Sequence, residues 1–185
     1  MAQMATIDTL LSIPTDLVVS NPTALAPIPS DLRFDEAADD FLPAADLADL
    51  AAKLIAHRAT QLWACGDAAI EYRWKRKGGT TNGKATLGKC EKPGGLLRHF
   101  SKTDYVVWLA ADNCRYLGLA NWQLEALLAH ELMHVGLDTD TDKRIVAPHD
   151  WEGFSAEIEI YGLWQADLEA MGRAVQLKLF GGEGR

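Results

Sequence analysis

The 185-residue chain has little cysteine, little proline beyond its first third and no long apolar run, and each scarcity excludes something. Cys65, Cys90 and Cys114 are odd in number, far apart and without a CxxC pair, so neither a disulfide framework nor a cysteine zinc site is expected. That usage fits a reducing compartment. No stretch reaches the roughly 18 apolar residues that a membrane span needs, and MAQMATIDTLLSIPTDLVVS lacks the basic start and apolar core of a signal peptide. A soluble, cytoplasmic protein is the expectation, with no membrane partner. Positive charge is scarce at one end: residues 1–50 hold nine acids against Arg33 alone. Residues 73–102 reverse this, with nine of the 18 lysines and arginines against Glu91 alone, so the net charge of −8 hides a basic island. At 48% hydrophobic residues the chain can bury one sizeable core rather than two.

Pro14, Pro22, Pro27 and Pro29 stand among Ala, Ser, Thr and Asp without a sustained period, so residues 1–42 are expected to form an irregular or disordered leader. One domain is expected over 43–178, with a frayed tail at 179–185. After Pro43, Leu47, Leu50, Leu54, Ile55 and Leu62 recur at helical spacing and Gly66 follows the end. AIEYRWK alternates, placing Ile70, Tyr72 and Trp74 on one strand face and Glu71, Arg73 and Lys75 on the other. KGGTTNGK should turn the chain and ATLGKCEK return it, predicting a basic hairpin over 73–92. DYVVWLA, Asp104 to Ala110, is apolar after its first residue, as in a strand covered on both faces or roofing a site. Asn121 is a good N-cap for a helix with Leu124, Leu127, Leu128, Leu132 and Val135 as its buried stripe, ending near Gly136. An Asp-rich loop follows. Pro148 then precedes a long helical segment containing Trp151, Phe154, Ile158, Tyr161, Leu168 and Met171.

The second helix carries HELMH, and three of the five histidines fall between His130 and His149. At 3.6 residues per turn, His130 and His134 project from one face and can converge on one ion. Glu131, about 100° round the helix, can reach a water on the metal without being a ligand. Neutral imidazole suits Zn²⁺, whose catalytic sites use three protein ligands and keep a fourth position for water. Glu131 would be the base that takes that water's proton and passes it to a leaving amine. Two histidines and a glutamate can also sit on an ordinary solvated helix face. Against that, the apolar stripe is complete without them.

Several residues could supply the third ligand. The metzincin spacing fails, because Leu137 and Asp140 stand where its glycine and last histidine belong. Glu152 or Glu157 on the next helix could reach, though Ala156 and Tyr161 occupy the positions of an orienting aspartate. An aspartate from the DTDTD run is another option, with Asp138 the nearest; as a calcium loop the run fails, because Lys143 and His149 stand in place of its glycine and closing glutamate. His149, fixed by Pro148 at the start of the next helix, is preferred. Asp150 or Glu152 could then hydrogen-bond a ligating imidazole.

Taken together, the helix, YRW strand, LGK strand, DYVVWLA strand, WQLEALLAHELMHV and PHDWEGFSAEIEIYGLW resemble the putative phage metallopeptidase family. These are small zincins of phages and prophages, similar in layout to SprT-like proteases. The resemblance covers about residues 44–171, and HELMH with PHDWEGF carries most of it. It implies His130, His134 and His149 as zinc ligands and Glu131 as catalytic acid/base. It also implies an α+β, minimal zincin-like fold: a small, mostly antiparallel sheet on the HExxH helix, with a second long C-terminal helix. By analogy with zincins, Tyr105, Val106, Val107 and Trp108 would form the strand that pairs with extended substrate. Tyr161 and Arg144 are placed where a transition-state stabiliser could approach.

The leading reading is a zinc-dependent peptidase acting on proteins or peptides, in the host cytoplasm if phage encoded. A second reading, from another class, is a non-catalytic zinc-fold module that uses the basic hairpin to hold DNA or a phage protein. Arg73, Lys75, Arg76, Lys77, Lys84, Lys89 and Lys92 could make a weak contact with a phosphate backbone. A solvated hairpin that balances an acidic chain is the stronger explanation of them, and the acidic total argues against a dedicated nucleic-acid binder.

Overall fold

Helix formers dominate ADLADLAAKLIA, and they build α1, Ala45–Ala56, with Asp46 in the first turn and Lys53 in the last, where the helix dipole favours each charge. Leu47, Ala51 and Leu54, four and three residues apart, form its buried face. The computed structural model describes residues 24–28, 40–57, 62–149 and 166–180. Much of the expected leader, residues 150–165 and the GGEGR tail therefore lie outside the described residues.

Four strands form the main sheet: β1 (Phe41–Pro43), β2 (Ile70–Lys75), β5 (Gly88–Glu91) and β6 (Tyr105–Ala110). Their order is β1-β2-β6-β5. The β1–β2 and β5–β6 pairs are antiparallel, whereas β2 and β6 are parallel, Ile70 opposite Tyr105 through Lys75 opposite Ala110. The fold is α+β with a mostly antiparallel sheet. It differs from the expected hairpin in one respect: β2 and β5 do not pair, because β6 lies between them. The reason is burial, since β6 is the most apolar strand and a central position covers it on both edges. Residues 76–104 supply the long crossover that a parallel pair requires. Within that crossover Asn82 and Gly83, both at positive φ, close a two-residue turn between β3 (Thr80–Thr81) and β4 (Lys84–Ala85).

Two short helices have no counterpart in the sequence reading, α2 (Gly95–Ser101) and α3 (Ala111–Tyr116). The first buries no residue and the second is six residues long, so neither offers an apolar period. The next helix, α4, runs Asn121–Met133 and starts one residue earlier than expected, with Ala120 as its N-cap. Gln123 Oε1 accepts the Ala120 N–H, and the Asn121 N–H donates to the Ala24 carbonyl. Residues 24–28 thus run along the start of α4, with Ala26 donating to Leu119.

The core lies between one sheet face and helices α1 and α4. Trp74, Tyr105, Val107, Leu109 and Cys90 meet Leu47, Ala51 and Leu54 from one helix and Leu124, Leu128 and Leu132 from the other. Trp74 is fully buried, and its indole N–H donates to both carboxylate oxygens of Asp46, at 3.1 and 3.0 Å. The expected Asp-rich loop is instead a hairpin of β7 (Val135–Asp138) and β8 (Lys143–Val146). Helix α5, Ala166–Phe180, carries a Glu169–Arg173 ion pair one turn apart. No helix among the described residues is long and apolar enough to cross a membrane.

Candidate metal centre

Helix α4 buries Leu124, Leu128 and Leu132 against the sheet, and the same rotation leaves His130 exposed and His134 half-buried. The last helical residue is Met133, and His134 keeps a helical conformation as the C-cap. The two imidazoles therefore sit one turn apart, with ring centres 5.2 Å apart and planes perpendicular. This much follows from helix geometry alone.

The chain then reverses through β7 and β8. Asp138 Oδ1 accepts the amides of Asp140 and Thr141, at 3.0 and 3.2 Å, which folds the DTDTD run into the hairpin turn. Val135 stands opposite Val146, so the strand that leaves His134 is matched by one returning to it. Ala147 completes the return: its N–H donates to the His134 carbonyl at 2.8 Å, and its carbonyl accepts from His134 Nδ1 at 2.7 Å. A carbonyl can only accept, so Nδ1 carries a proton, and in the neutral form of the ring the lone pair lies on Nε2. His149 follows two residues later. His130, His134 and His149 each offer one ring nitrogen, all within 4.8 Å of one another.

The hairpin is tied to the rest of the molecule at several points. The buried Tyr105 hydroxyl lies 2.8 Å from the Gly136 carbonyl and 2.7 Å from that of Ile145, so its one proton bridges both strands. Arg144 Nη1 donates to the Ala64 carbonyl at 2.8 Å, and Lys92 Nζ donates to the Arg144 carbonyl. Arg144, opposite Leu137 in the hairpin, is thus engaged through its guanidinium and its carbonyl.

Glu131 faces inward, buried beside β5. Loss of water pushes its carboxyl up to about 7, while the charge of His134 and the Cys90 N–H pull the other way. A group at that value can both accept and return a proton near neutral pH.

Other predicted residues fall elsewhere. Val106, Val107 and Trp108 pair with β2 on one edge and β5 on the other, and Tyr105 pairs with Ile70. An interior strand offers no unpaired edge, so β6 cannot take an extended peptide; this corrects the assignment of Tyr105 to Trp108 as the substrate strand. Asp138 serves the turn. Asp150, Glu152 and Tyr161 lie outside the described residues. In the basic island, Arg73 pairs with Glu71 at 3.0 Å and Lys89 with Glu91 at 2.6 Å. Lys75 stacks over the Trp108 ring at 4.3 Å. Lys92 donates to the Arg144 carbonyl, so Arg73, Lys75, Lys89 and Lys92 are all engaged within the molecule. Sequence reasoning missed the Ala147 carbonyl, the Tyr105 hydroxyl and the Cys90 amide, because backbone groups and long-range partners leave no mark in a residue pattern.

The donor set fits a metal: three imidazoles converge, and at least one is oriented by a carbonyl on its far nitrogen, as metal-binding histidines usually are. No curated protein and no solved structure matches the chain. Residues 39–175, which include both α4 and the hairpin, match a family described as putative phage metallopeptidase, and the chain belongs to that family.

Proposed function

We propose that the protein is a zinc-dependent endopeptidase acting on proteins or peptides in the cytoplasm of a phage host. The observation that carries this reading is the convergence of three ring nitrogens within 4.8 Å, two of them from the helix that also carries the buried Glu131 carboxyl. Three imidazoles and no thiolate suit zinc in an open, catalytic arrangement. His130, His134 and His149 would hold the ion, with Ala147 keeping His134 in the required tautomer. The ion, when bound, would polarise a scissile carbonyl and acidify water, and its charge would lower the Glu131 carboxyl again.

Glu131 does the proton work. It accepts a proton from the attacking water and returns it to the departing amine nitrogen, so the carboxylate is regenerated in each cycle. Glu131 is buried, which shields that proton from bulk solvent, while His130 and His149 are exposed. The alternative of a basic-hairpin binding module is weaker, because cations already paired with Glu71 and Glu91 have less charge to offer a phosphate.

The test is Glu131→Gln in the full-length protein loaded with zinc. Metal content should stay at one equivalent, and hydrolysis of an unfolded protein such as casein should fall about 100-fold or more. A variant as active as the parent would sink the assignment of Glu131, and an inactive parent with full zinc would favour the binding module.

A further inference from the structure

Strand β5 is an edge of the main sheet, and α4 packs against it. Gly88 and Cys90, two apart, share one strand face, opposite Leu109 and Val107. A Cβ built on Gly88 would lie 2.9 Å from Glu131 Oε1, 3.0 Å from Glu131 Cγ and 2.7 Å from Leu109 Cδ2. The Glu131 side chain thus occupies the space that a side chain at position 88 would fill. Two residues on, the Cys90 N–H donates to the same carboxylate. Gly88 has no positive φ that would otherwise require glycine, so close approach is the feature that calls for it.

We infer that Gly88 is a positioning residue for Glu131: the bare backbone of β5 admits the carboxylate, and the Cys90 amide holds it in one place. A carboxylate has about four lone-pair sites, so one amide bond leaves capacity for proton transfer. The arrangement gives a flexible two-carbon side chain a fixed seat, and misplacing a catalytic group by about 1 Å can cost on the order of 100-fold in rate. This inference rests on Glu131 being the catalytic base. The contact itself does not depend on that, and it can be measured without turnover.

The experiment uses full-length Gly88→Ala, with Gly88→Ala/Leu109→Val to separate the two clashes. The added methyl should leave zinc stoichiometry unchanged, lower kcat about 100-fold and alter KM little. In the metal-free protein, hydrogen exchange at the Cys90 amide should become about 10-fold faster in Gly88→Ala and in Glu131→Ala. Shortening Leu109 removes its clash but not that with Glu131, so the double variant should stay slow. The inference is overturned if kcat is unchanged, if Leu109→Val restores it, or if Cys90 exchange is the same in all forms. A parent without peptidase activity would overturn the functional reading alone, because Cys90 exchange would still show whether Gly88 seats the carboxylate.

Discussion

Helix α4 and the β7–β8 hairpin bring histidines to the same place by different physics. The helix needs only its own repeat: residues four apart share a face, and Leu124, Leu128 and Leu132 decide which face is inward. The hairpin needs partners far away in sequence. Its strands must match in register, Tyr105 must bridge Gly136 and Ile145, and Ala147 must meet His134 before His149 can arrive. One arm of the site is therefore local and stiff, and the other is assembled by long-range hydrogen bonds, each of modest net strength.

The largest expected effect comes from removing a donor. His130→Ala and His149→Ala should each weaken zinc binding by more than the roughly 10- to 100-fold seen when an outer partner is lost. Metal content after dialysis against a chelator measures this. Stoichiometric zinc in His149→Ala would remove the hairpin arm from the comparison altogether. Next is the local arm's foundation: Leu128 is fully buried, and Leu128→Ala should lower unfolding free energy by about 2–5 kcal/mol in urea titration.

Tyr105→Phe probes the other arm with a smaller change. Loss of the bridging hydroxyl should cost about 1–3 kcal/mol and make zinc dissociate faster, while the α4 amides keep their exchange protection. Equal loss of protection in α4 would show that the two arms are not separable. The smallest effect concerns thiols that serve neither arm's chemistry. Burial raises Cys65 to about 11, despite Arg144, and Cys114 to about 12, against an ordinary value of 9.0. The unfolded chain releases these protons first, so their contribution to stability is complete below about pH 9 and is lost as pH rises through 11 to 12. Both thiols should react slowly with iodoacetamide at pH 8 in the folded protein and fully in urea.

Legibility followed the same division. The α1 and α4 stripes, the alternation in β2 and the HELMH face were readable, because each is a local period; the helix ends were not, since Leu62 lies beyond α1 and Val135 belongs to β7. His149 could be ranked from its flanking proline and its distance from HELMH, but its approach depends on a hairpin that the aspartates disguised as a loop. The strand order was misjudged for a similar reason. ATLGKCEK follows AIEYRWK closely enough to suggest a hairpin, yet apolar β6 takes the place between them. That insertion also moved the free edge from β6 to β5 and set Gly88 against Glu131.

By itself the sequence determined that two imidazoles and a carboxylate would share one helix with an apolar underside, because helical hydrogen bonds run four residues back and ignore the rest of the chain. Tertiary structure alone decided the neighbours of that helix. Sheet order, hairpin register and the seating of Glu131 on β5 arise from pairings across many residues, where burial of the most apolar strand outweighs proximity in sequence.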